Sequence, residues 1–215
     1  LRGGRGRKKL REKLREKRRE KLNWRADKIA ALGGGMATYI ALLRGINVGG
    51  NRRIAMSVLR DFLEAVGCEH PRSLLQSGNV VFGSRKRAGD DVERWLEAEA
   101  AKRLHFEAEF FVRTPKEWQD LIARNPFREQ AERDPARLHV VVLKKAPAKP
   151  AVAALRAAIV GREVVESGQR HLYVVYPDGA GRSRLTAAVI DSKLGTRCTA
   201  RNWNTVLKLA ALSQS

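Results

Sequence analysis

Tyr39-Ile40-Ala41-Leu42-Leu43-Arg44-Gly45-Ile46-Asn47-Val48-Gly49-Gly50 is the stretch on which the reading of this chain turns. It opens with a short apolar run that lacks the polar alternation of a half-exposed strand, so it reads as a buried strand. A glycine- and asparagine-rich loop follows. Met56, Leu59, Phe62, Leu63 and Val66 then recur at helical spacing, and Gly67 stops that helix. Ser73-Leu74-Leu75-Gln76 and Asn79-Val80-Val81-Phe82 read as strands around a Ser77-Gly78 hairpin. Residues 91–104 place Val92, Trp95, Leu96 and Ala100 on one helical face, and residues 108–113 close the unit as a fourth strand. Thr114-Pro115-Lys116-Glu117 is a capping box with proline at the first helical position, so another helix starts there.

The same order returns downstream. Residues 138–143 read as a strand, 151–160 as a helix ended by Gly161, and 163–166 and 172–176 as strands around Ser167-Gly168. Residues 184–194 read as a helix that Ser183 caps and Gly195 ends, 196–201 as a last strand, and 203–212 as a final helix capped by Asn202. Gln76-Ser77-Gly78-Asn79 matches Glu166-Ser167-Gly168-Gln169, and Arg113-Thr114 before one helix matches Arg201-Asn202 before another. The expectation is an α+β fold, a tandem pair of ferredoxin-like β-α-β-β-α-β units with packed sheets and a C-terminal helix. The divisions expected are a basic extension over 1–35, a first unit over 36–124, a charged linker over 125–136 and a second unit over 137–215.

Charge is distributed unevenly. Residues 1–35 hold 14 of the 43 Lys and Arg but 4 of the 23 Asp and Glu, so half of the net +20 lies in the first sixth of the chain. Such a segment can form a solvated helix with neighbouring Glu–Lys pairs, and it can hold nucleic acid by phosphate contacts alone. Patterning begins directly after Gly33-Gly34-Gly35, so Met36 is the expected native start. No apolar span reaches membrane length. Cys68 and Cys198 are far apart and without ligand spacing, which suits a reducing compartment and leaves neither a metal nor a cofactor expected.

The candidate site follows from topology. In the ferredoxin-like unit the first and third strands are adjacent and antiparallel, which sets Arg44, Asn47, Gly49 and Gly50 beside Gln76, Ser77 and Asn79. Backbone N–H groups, a helix start and a guanidinium at one edge suit an anion or phosphate. The same glycines and asparagines also serve tight turns, and no P-loop or dinucleotide fingerprint is present. A second polar cluster offers Arg201 for an anion, Trp203 for stacking and Asn204 for a hydrogen bond, either as its own site or as part of the first. No nucleophile–base or paired-carboxylate arrangement emerges from spacing. Enzyme activity and oligomeric state stay open.

Three of these motifs also carry a resemblance. The stretches 39–50, Gln76-Ser77-Gly78-Asn79-Val80-Val81-Phe82 and Thr199-Ala200-Arg201-Asn202-Trp203-Asn204-Thr205, in that order, resemble the bacterial family of domain of unknown function 1697. The resemblance spans 37–212 and implies a cytoplasmic α+β protein. The basic segment lies outside it. Cys198 stands where the family is expected to carry glycine, which removes any case for a shared thiol there. The leading expectation is therefore a protein that binds a small anionic or phosphorylated ligand at the Gly/Asn/Arg-rich edge. Nucleic-acid binding through the basic tail and surface, and a structural or protein-interaction role without ligand, stand as alternatives.

Overall fold

A computed structural model describes residues 36–46, 54–85, 90–104 and 107–214. The expectations for residues 1–35, Asn47, Gly49 and Gly50 lie outside the described residues. From Ala37 onward the chain clusters as one unit. Its first half runs β1 (Ala37–Arg44), α1 (Met56–Ala65), β2 (Glu69–Leu74), β3 (Asn79–Ser84), α2 (Asp90–Arg103) and β4 (Glu109–Arg113). Two connecting helices follow, α3 (Pro115–Ala123) and α4 (Arg128–Arg133). The second half runs β5 (Leu138–Leu143), α5 (Lys149–Ala157), β6 (Val164–Ser167), β7 (His171–Val175), α6 (Ala187–Leu194), β8 (Cys198–Asn202) and α7 (Trp203–Leu212).

Each half builds a four-stranded antiparallel sheet, in the order β2-β3-β1-β4 and β6-β7-β5-β8. The central strands β1 and β5 are largely apolar because both of their faces are covered. Tyr39, Ala41 and Leu43 of β1 pack against α1 and α2, whereas Ile40 and Leu42 point into a middle core. Val141 and Leu143 of β5 pack against α5 and α6, whereas Leu138, Val140 and Val142 enter the same middle core. Trp118 and Leu121 of α3 and Trp203, Val206 and Leu209 of α7 complete that shared layer. The charged linker is itself ordered: it carries α4, and Phe127 and Ala131 pack on the middle core.

Several element bounds differ from expectation for local reasons. β2 begins at Glu69, and Pro71 is tolerated because this is an edge strand with an irregular register between Glu69 and Arg72. Helix α5 starts at Lys149, with Pro150 in its first turn, and ends at Ala157. Helix α6 starts at Ala187 because Thr186, not Ser183, caps it by accepting from Val189 N–H. The Ser183 hydroxyl is used elsewhere: it donates to Glu163 and accepts from Leu185 N–H. No described helix is long and apolar enough to cross a membrane.

Candidate functional site

The first-half edge is assembled by strand pairing. Leu42 faces Asn79 across the β1–β3 ladder, and Leu43 N–H donates to Gly78 C=O at 2.7 Å. Gly78 has a φ of +72°, and a Cβ there would come within 2.7 Å of Ile46 Cδ1, so this corner admits only glycine. Asn79 is wholly buried. Its amide donates to Leu74 C=O and to Ser77 Oγ, and its carbonyl accepts from Arg201 Nε. Arg201 reaches this edge from the end of β8, donating to Leu43 C=O at 2.9 Å, Ser77 C=O at 2.8 Å, Thr199 Oγ1 at 2.9 Å and Ala200 C=O at 2.8 Å.

This arrangement changes what several nominated residues can do. Arg201 and Asn79 are brought together, the second of the two alternatives for the Arg201 cluster, and they bond to each other and to the surrounding backbone inside the protein. Trp203, expected to stack on a planar group, is buried in the middle core, because the apolar face of α7 must be covered by both sheets. Arg44 is half-buried and committed to Asp191 at 2.6 Å, Cys198 C=O at 2.9 Å and Glu109 at 3.5 Å. Gln76 and Asn204 are exposed, and Ser77 is half-buried.

The second half repeats the construction in reverse. Arg113, at the end of β4, donates to Leu143 C=O at 2.6 Å and Arg170 C=O at 3.1 Å, as Arg201 does to Leu43 and Ser77. Lys144 reaches Phe110 C=O, as Arg44 reaches Cys198 C=O. Each half therefore sends a buried arginine to the strand end of the other. The two differ in counter-charge: Arg113 also meets buried Glu93 at 3.2 Å, whereas Arg201 meets neutral acceptors alone. Burial pulls both guanidinium pKa values down to about 10, with Arg170 adding to the effect at Arg113, so both remain charged at neutral pH.

A cavity of about 380 Å³ opens at this second edge, between α3 and the β6–β7 hairpin. Arg113, Leu121, Arg124, Arg170, His171 and Tyr173 are among the residues that line it. The hairpin is Glu166-Ser167-Gly168-Gln169, the internal counterpart of the nominated Gln76-Ser77-Gly78-Asn79. Gly168 is needed here for space, since a Cβ would lie 2.0 Å from His171 Nε2. The duplication was the signal for this edge. Among the described residues no three His, Cys, Asp or Glu converge as a metal set would.

Burial lowers the His171 pKa to about 4, with Arg113 and Arg124 contributing, so the ring is neutral at physiological pH. Tyr173 donates its hydroxyl to Leu121 C=O at 2.6 Å, and burial pushes its pKa up to about 12. The unfolded chain takes up the histidine proton near pH 6.5, whereas the folded chain resists until about pH 4. Stability tied to this group is therefore complete above pH 6.5 and drains as pH falls toward 4, by up to about 3 kcal/mol. Burial lowers His139 too and adds with the same sign. Melting curves across pH 4–7 are expected to fall on acidification, with a shallower slope in His171→Asn. An unchanged slope in that variant would contradict the burial of a neutral ring.

Comparison with known proteins places these features. The model of the family described as "Protein of unknown function (DUF1697)" matches residues 36–173. A solved conserved bacterial protein from Streptococcus pneumoniae has a similar fold, with a TM-score of 0.65 and 23% sequence identity, over 83% of this chain and 99% of that one. None of the curated proteins matches the sequence.

Proposed function

Because the chain belongs to the DUF1697 family, whose description is of unknown function and brings no activity with it, we propose from the geometry that the protein binds a small organic anion in the cavity between α3 and the β6–β7 hairpin. One observation carries this reading. Arg124 faces a concavity of ligand size yet makes no ion pair among the described residues, while its field reaches both His171 and Tyr173. A guanidinium in that position is available to a carboxylate or phosphate oxygen. The first-half edge, with Arg44, Gln76 and Ser77, is the other location for the ligand. There Arg201 already takes the Asn79 carbonyl and the Leu43 and Ser77 C=O groups.

The finer architectural reading accompanies this proposal. The halves are taken as tandem ferredoxin-like units, supported by their common strand order and by the reciprocal arginines. Two buried cysteines outside any disulfide support a reducing, cytoplasmic setting.

Amide chemical-shift mapping of the full chain against a panel of small carboxylates and phosphates tests the assignment. The expected result is a cluster of shifts over 166–171 and around Leu121 and Arg124. A cluster around Arg44 and Gln76–Ser77 instead would return the ligand to the first-half edge. Absence of any localised shift across the panel would remove the binding function.

A further inference from the structure

We infer that the ligand of this cavity is a monoanion with an apolar body, of the class of hydrophobic carboxylic acids, and not a polyphosphate. The inference rests on the cavity assignment above and narrows it by counting which charges at the site are already spent.

Arg113 uses both terminal nitrogens on Glu93, Val112 C=O, Leu143 C=O and Arg170 C=O. Arg170 is held by Lys144 C=O at 3.0 Å and by Glu93 at 3.4 Å. Among the described residues lining the cavity, Arg124 is the one cation with neither an ion pair nor a side-chain hydrogen bond. The site therefore has one positive charge to give.

Three carboxylates stand around the same opening. Glu117 closes the capping box with Thr114, Asp120 pairs with Lys116 at 2.7 Å, and Glu166 pairs with Arg156 at 2.7 Å. Each is satisfied, so none has to be neutralised by a ligand, yet all three repel additional negative charge. Asp120 already interacts electrostatically with Arg124, so a single anionic group there meets less repulsion than a chain of phosphates would.

The remaining walls join the polar Ser167 and Gln169 of the hairpin to an apolar side. Leu121 and Pro126 contribute hydrocarbon, and Tyr173 contributes its ring, because its hydroxyl is committed to Leu121 C=O. His171 is uncharged there and adds no second cation. At about 380 Å³ the cavity lies near the lower end of the range for ligand sites, roughly 300–1,000 Å³, which fits a small body carrying one charge.

Isothermal titration of the full chain with phenylacetate, acetate, pyrophosphate and ATP, repeated on Arg124→Met, tests the inference. Arg124 is exposed, so its substitution leaves folding intact. Phenylacetate is expected to bind, to lose on the order of tenfold or more in affinity in Arg124→Met, and to exceed acetate by at least tenfold through its buried ring. Pyrophosphate and ATP are expected not to bind at the cavity. Binding of either that depends on Arg124 overturns the monoanion class while leaving the cavity as the site. Phenylacetate binding that ignores Arg124→Met, or that only equals acetate, overturns the class as well. Failure of all four probes to bind takes the cavity assignment down with it.

Discussion

Glu93→Gln is expected to destabilise the protein by about 3–5 kcal/mol, the cost of leaving buried charge without its partner. Glu93 is 3% exposed and sits where the two halves meet. One carboxylate oxygen accepts from Val112 N–H at 2.8 Å, Arg113 at 3.2 Å and Arg170 at 3.4 Å, and the other accepts from Lys144 at 3.1 Å. Glutamine preserves the shape and one acceptor. Its NH2 would point a donor at the Lys144 ammonium, and three cations would lose their shared anion, although Glu97 still holds Lys144 at 2.6 Å. For a protein of this size the loss corresponds to a melting temperature lower by roughly 10 °C. Added salt should recover little, since the cluster is shielded from solvent. The double variant Glu93→Gln/Lys144→Met should be less unstable than the sum of the two single changes, because it removes one of the stranded cations. Lys116→Met, which breaks an exposed pair, serves as the reference and should cost less than about 1 kcal/mol. Urea unfolding of these variants decides the matter: a Glu93→Gln loss no larger than that of Lys116→Met would mean that the cluster does not hold the halves together.

Glu93 also marks how far the sequence could be read. Apolar periodicity was enough for the strands and most helices, because both sheets are covered on both faces and the covering leaves nearly continuous hydrophobic runs at 39–43 and 138–143, broken only by His139. Element ends were legible where a side chain closes them locally, as Thr114 and Glu117 do for α3 and Asn202 does for α7. They were misread where two hydroxyls competed, Ser183 against Thr186. The site was harder. Contacts such as Arg201 with Asn79, separated by 122 positions, depend on how one half sits on the other, and no local pattern encodes that. Asn79 reads as available for a ligand because the arginine that bonds it comes from the far end of the chain. Glu93 escaped notice for a related reason. It flanks the apolar face formed by Val92 and Leu96, and an acid there reads as surface until a buried partner from the other half is in place.

Arg201→Met is expected to cost a similar amount, about 3–5 kcal/mol, but by a different route. Removing the guanidinium relieves the desolvation of a buried cation that has no carboxylate, and that relief is the reason the outcome is not obvious. Against it stand five acceptors: Leu43 C=O, Ser77 C=O, Ala200 C=O, Thr199 Oγ1 and Asn79 Oδ1. A buried acceptor stripped of its donor costs roughly 1–3 kcal/mol, and methionine supplies no donor to any of them. Even if two of the five find water, the loss outweighs the relief. Arg201→Lys should fall between wild type and Arg201→Met, since an ammonium offers three donors from one point and cannot span acceptors on both sheets. Adding Asn79→Leu to Arg201→Met should restore part of the stability by deleting one stranded acceptor, but not all, because three of the others are backbone carbonyls. Equilibrium urea unfolding measures the totals, and amide exchange at Leu43, whose N–H is bonded to Gly78, reports whether this corner opens first. If Arg201→Met were as stable as wild type, the five contacts would be dispensable to the fold.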